Sequence, residues 1–142
     1  MGRPLLLAAA VASFALAVFH VVVTFVGAPA YRYFGAGEQM AREAELGSFH
    51  PAAITLGIAV VFAVFGAYAL SGAGVIARPP LVRLGLCVIG TIYAVRGLAI
   101  IPQLMAPGMP LLRRNVVFSA ISLAIGLLYL AGAATARPRA AR

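Results

Sequence analysis

His20 and Arg96 are ionisable side chains set inside long apolar runs, and that placement makes them the first candidates for chemistry. Charge and hydrogen-bonding capacity are costly in lipid, so such residues mark ligand, proton or partner sites by default. An arginine at the centre of a membrane helix costs about 2.5–3.5 kcal/mol on insertion scales. Helical side chains lean toward the N-terminus of their own helix. His20 and Arg96 both lie toward the C-terminal ends of their runs, so both should lean toward the bilayer centre and away from the nearer headgroups. No acid within an apolar run neutralises Arg96. The carboxylates of the chain are Glu38, Glu43 and Glu45, together in one polar stretch between Arg32 and Pro51. Either Glu43 or Glu45 folds over Arg96, or a bound anion supplies the negative charge.

Other polar residues share that depth. Ser13, Ala17, His20 and Thr24 recur at i, i+4, i+7 and i+11, one face of a helix. Asn115, Ser119, Ser122 and Gly126 repeat the spacing, and Ala52, Thr55, Ala59 and Gly66 make a small-residue stripe. Tyr93, Arg96 and Gln103 lie near one face beside Gly90, Ala94 and Gly97. Small residues let membrane helices approach, and hydroxyls bond across the interface. The polar set His20, Thr24, Thr55, Tyr93, Arg96, Asn115 and Ser119 falls in the half of the bilayer that faces the acidic stretch. That asymmetry suggests a polar pocket opening toward the loop. The candidate ligand-binding residues are Arg96, His20, Tyr93, Asn115, Ser119, Thr24, Glu43 and Glu45.

Enzymatic readings find less support. The chain has no Cys-x-x-Cys, no His-Glu-x-x-His and no Gly-x-Ser-x-Gly. Cys87 stands alone in an apolar run and reads as a small packing residue. No metal site, cofactor or catalytic residue is assigned. Acid/base chemistry by His20 with Glu43 or Glu45 is one alternative, and haem ligation by His20 and His50 is another. The two histidines differ in depth by about six helical residues, roughly 9 Å, which strains a shared iron.

The elements that would hold these residues are clear. Of 142 residues, 63% are hydrophobic and 10% charged, outside the range of soluble globular domains. Four apolar segments, 5–26, 52–70, 81–101 and 111–134, each approach the ~20 residues that cross the hydrocarbon core as a helix. Each begins behind a proline (Pro4, Pro51, Pro80, Pro110), a residue suited to the first helical turn. The first run is longer than a signal-peptide core, and the Ala28-Pro29-Ala30 after it carries an awkward proline, so it reads as a retained span. Between the first two spans, Gly37 and Gly47 bracket a short helix over 38–46. In it Glu38 reaches Arg42 at i+4.

The expected fold is therefore an all-α integral membrane protein, one domain over 1–142. It is a four-transmembrane-helix antiparallel bundle with a short amphipathic helix in the first, outer loop. Eleven arginines, with no lysine, give a net charge of +8. They sit mostly at the ends of apolar runs, where they read as topology signals, and no basic stripe interleaved with aromatics suggests nucleic acid. Arg3, Arg78, Arg83, Arg137, Arg139 and Arg142 outnumber Arg32, Arg42, Arg113 and Arg114, which places both termini in the cytoplasm of a bacterial inner membrane. The expected partners are the lipid bilayer, an anionic small molecule or lipid headgroup, and a second copy or other membrane helices. The expected function is binding or transport of that anion in the polar outer half of the bundle. The alternative is an accessory protein that packs against partner helices with no ligand.

Overall fold

The computed structural model describes residues 2–77, 79–105 and 112–135. Its elements are all helical: α1 (Gly2–Val26), α2 (Ala28–Phe34), α3 (Glu38–Glu45), α4 (His50–Gly72), α5 (Val82–Leu98), α6 (Ile101–Met105) and α7 (Arg113–Thr135). Four stretches are long and apolar enough to cross a membrane: α1 with 25 residues, α4 with 23, α5 continued by α6 with 24, and α7 with 23. This is a multi-pass helical membrane protein. The proline-led start at Pro110–Leu111, Arg78 and the basic tail from 136 onward lie outside the described residues.

The spans start and stop close to where the hydropathy puts them, with three departures. First, α1 and α4 begin at Gly2 and His50, which places Pro4 and Pro51 within the first turn. A missing N–H is harmless there. Second, the third span is broken. α5 ends at Leu98, and α6 restarts at Ile101 with Pro102 as its second residue. A proline ring clashes with the carbonyl four residues back and donates no hydrogen bond, so the chain cannot run through as one helix. Third, the start of α5 falls at Val82, because Leu81 adopts a left-handed φ of 59° behind the Pro79-Pro80 pair. Such a conformation costs a branched side chain of order 1–3 kcal/mol.

The chain forms two compact units, residues 13–66 and residues 1–12 with 67–142. In the first, Phe14 lies over Gly66, at 2.8 Å from the point a Cβ would occupy, so α1 and α4 meet closely there. Gly27 turns the chain out of α1 with φ 74°, a region that L side chains rarely adopt. The next seven residues form α2, with proline in its first turn and Gly35 as a left-handed C-cap. The hydropathy pattern predicts no helix over these residues. α2 folds onto α3 around a small core of Val23, Ala28, Ala30, Tyr31 and Ala41, flanked by Phe19, Phe34, Met40 and Ala44. Tyr31 is 2% exposed and Ala41 fully buried. The first loop is thus a helical hairpin with its own apolar centre.

In the second unit, α5 and α7 pack as an antiparallel pair. Contacts run from Gly90 with Leu130, through Ala94 with Gly126, to Gly97 with Leu123, so numbers rise on one helix as they fall on the other. A Cβ on Gly126 would sit 2.7 Å from the Ala94 nitrogen, and one on Gly97 2.7 Å from the Leu123 nitrogen. Here the two backbones themselves touch, which is what small residues permit between membrane helices. Leu6 fills the notches left by Gly72 and Gly132 in the same unit.

Candidate functional site

The predicted site residues divide between the two units. Arg96, Tyr93, Asn115 and Ser119 belong to the α5–α7 unit, and His20, Thr24, Glu43 and Glu45 to the unit of residues 13–66.

On α5 the buried face is Leu86, Ile89, Gly90, Tyr93 and Gly97. Tyr93 is 3% exposed, and its ring stacks on that of Tyr129 with centroids 5.7 Å apart and planes at 21°. Arg96 lies one position before Gly97, at the flank of that face, and is exposed. It stands in the last turn of α5, where the helix dipole favours a cation. The early helix end at Leu98 moves Arg96 nearer to a terminus than the apolar run indicates. Beyond the break, the Asn115 Nδ2 donates to Gln103 Oε1 at 3.3 Å, joining α6 to α7. Ser119 is buried one turn further along α7. A basic and amide-rich end of the unit results, to which the sequence contributes no carboxylate, since all three glutamates lie within 13–66.

His20 is half-buried among aromatic rings, with Phe19 at 5.4 Å and Phe62 at 5.0 Å between centroids. Its Nδ1 lies 2.7 Å from the Leu16 carbonyl oxygen. A carbonyl can only accept, so Nδ1 carries a proton. Thr24 donates its hydroxyl to the His20 carbonyl at 3.0 Å. Thr55, Thr91 and Thr135 likewise bond the carbonyl four residues back, on Pro51, Cys87 and Ala131. The Thr24 and Thr55 hydroxyls were expected to bond across helix interfaces, and they bond within their own helices instead. Inside a helix the nearest acceptor is the second lone pair of the carbonyl one turn back, reached without any partner helix.

The carboxylates form an ion network on the α2–α3 hairpin. Arg32 grips Glu38 with two bonds, Nε to Oε2 at 2.9 Å and Nη2 to Oε1 at 3.0 Å, and reaches Glu45 through Nη1 at 2.6 Å. Arg42 adds the i,i+4 bond to Glu38 at 3.2 Å that the spacing predicts. Glu43 accepts from Gln39 at 3.0 Å and meets His50 Nδ1 at 2.6 Å, which ties α3 to the first residue of α4. The sequence offered Glu43 or Glu45 to Arg96; the structure gives Glu45 to Arg32 and Glu43 to His50 and Gln39. Arg32 escaped the sequence reading because its partners lie 6 and 13 residues away. They become neighbours only once α2 folds back on α3.

This network sets an acid dependence. Hydrogen bonds from Arg32 and then Arg42 hold Glu38 down to about 2, against an ordinary 4.5. The His50 and Gln39 bonds lower Glu43, and the Arg32 bond lowers Glu45. A carboxylate depressed in the folded state contributes stability that is complete above its ordinary value and lost as pH falls through the folded one. The hairpin should therefore hold from neutral pH to about 4.5 and loosen progressively toward about 2. Amide NMR shifts of α2 and α3 followed on acidification would show it, and Arg32→Ala should flatten the Glu38 and Glu45 part of the response.

Comparison with known proteins adds no relative: no protein-family model, curated protein or solved structure matches the chain.

Proposed function

We propose that this membrane protein binds or transports an anionic small molecule or an anionic lipid headgroup, with Arg96 as the group that meets the charge. The observation that carries this reading is Arg96 itself. It is an exposed guanidinium near the end of an apolar span, in a unit to which the sequence contributes no glutamate or aspartate, with the Gln103–Asn115 amide bond between α6 and α7 beyond it in the same unit. The carboxylates of the other unit are held by Arg32, Arg42, Gln39 and His50. A guanidinium offers a planar fork of donors that suits phosphate and carboxylate. In this reading Asn115 and Ser119 are the neutral polar partners of the site.

The test is thermal unfolding of the purified chain with phosphatidylglycerol, with phosphatidylcholine, and with a soluble alkyl phosphate. The anions should raise Tm saturably and the zwitterionic lipid should not. Arg96→Ala should insert and purify but lose the shift, and Arg96→Lys should keep part of it. Equal shifts in wild type and Arg96→Ala would sink the reading. Failure of Arg96→Ala to insert would assign the arginine a structural role instead.

The same proposal places both termini in the cytoplasm of a bacterial inner membrane, on the arginine distribution. Ala36 is exposed in the turn between α2 and α3. A cysteine there should react with an impermeant maleimide added outside intact cells; labelling only after lysis would reverse the orientation.

A further inference from the structure

The geometry points to His20 as the hydrogen-bond acceptor for a lipid-soluble ligand that carries an aromatic hydroxyl, a phenol or hydroquinone. This inference concerns residues 13–66 and does not rest on the anion reading.

The Nδ1 atom of His20 holds the ring proton. The Leu16 carbonyl, 2.7 Å away, fixes it there. A neutral imidazole with its proton on Nδ1 presents a bare lone pair at Nε2. Nε2 makes no hydrogen bond to any described residue, and it is not sealed in the interior. The bond to Leu16 also turns the ring toward the preceding turn of α1, deeper into the span and away from the α2–α3 end. His20 stands six residues before the end of a 25-residue span. At 1.5 Å per residue that is about 9 Å of helix. An acceptor is therefore offered at a depth where water is scarce, and an unmet polar group there is costly.

The surroundings narrow the donor. Phe19 stands edge-on to the imidazole at 86°, and Phe62 is tilted at 48°. Phe65 continues the aromatic wall, its ring 6.2 Å from that of Phe62. Aromatic faces and edges favour a planar ring in offset or edge-to-face contact. The neighbouring hydroxyl, on Thr24, is already donated to the His20 backbone. A ligand that brings both an O–H for Nε2 and a ring for Phe62 satisfies the whole arrangement. An anion would not, because a lone pair facing it repels.

The experiment uses the full chain in lipid nanodiscs with ¹⁵N-labelled histidine. The sequence has two histidines, so His50 at the start of α4 serves as the internal reference. The probes are 4-nonylphenol and its methyl ether 4-nonylanisole, which share ring and tail and differ in the donor. The phenol should shift the His20 Nε2 resonance saturably and leave His50 unmoved. The ether should bind about three- to tenfold more weakly, the range of one neutral hydrogen bond. His20→Phe keeps an aromatic ring and should erase the difference between the probes. Phe62→Ala should weaken both equally. Equal affinity of phenol and ether in the wild type, or a shift that never saturates, would overturn the proposal. That comparison needs no variant, so it decides the matter even if His20→Phe fails to fold.

Discussion

Gly126→Ala should destabilise the α5–α7 pair by about 1–3 kcal/mol, and Gly126→Leu should prevent its native packing. The added Cβ would fall 2.7 Å from the Ala94 nitrogen and 2.8 Å from the Gly90 oxygen. Both are backbone atoms, which cannot swing aside as a side-chain tip would, so one helix must back away from the other. The loss extends beyond the contact itself, because Tyr93 and Tyr129 stack across the same interface. Gly57 provides the control. It is exposed on α4, and a Cβ there meets nothing within 4 Å. Gly57→Ala should be neutral or stabilising by up to about 1 kcal/mol, the helix-propensity gain. Thermal unfolding in one detergent, measured on both variants, separates close approach from glycine content. Similar Tm values for the two would mean that α5 and α7 do not meet along this seam.

Tyr31→Ala carries the second large effect, a loss of about 3–5 kcal/mol as judged from truncation of buried aromatic rings. Tyr31 is 2% exposed and packs with Ala28, Ala30 and Ala41 at the centre of the α2–α3 hairpin. The other buried members of this core, Val23, Ala28, Ala30 and Ala41, are too short to fill the cavity. Removal should release α3 from α2, separate Arg32 from Glu38 and Glu45, and leave the spans inserted. Hydrogen exchange would show faster amides across residues 28–46 with unchanged protection in α4, α5 and α7. Tyr31→Phe keeps the ring and should keep most of the protection. If Tyr31→Ala left the hairpin amides slow, the ion network alone would be holding the loop.

What the sequence reveals follows the range of the interactions. The four spans are legible because lipid demands a continuous apolar helix, a local and one-dimensional constraint. The loop helix is legible from its bracketing glycines and its Glu38–Arg42 spacing. α2 is not, since its seven residues mix proline with aromatics that serve equally well at a membrane surface. The glycine seam shows as stripes on Gly90, Gly97 and Gly126, although the stripes do not reveal which helix they meet. Arg32 is hidden for a related reason: its partners are set by a fold-back that no spacing rule encodes. For the proposed anion site, the sequence exposes Arg96 as costly and leaves its partner open. Its exposure and its place in the last turn of α5 depend on the break at Pro102, and the break depends on how far the helix can run before the proline.

That break also has a consequence for the surrounding lipid. α5 has 17 residues, about 25 Å of helix at 1.5 Å each. A hydrocarbon core of about 30 Å is thicker than that. α1, at 25 residues, spans about 37 Å and suits a thicker membrane or a tilt. α5 alone falls short of the core thickness, and α6 beyond the break carries the third span to 24 residues. Lipid along this span therefore meets a helix interrupted between Leu98 and Ile101, with the exposed Arg96 in the turn before the interruption.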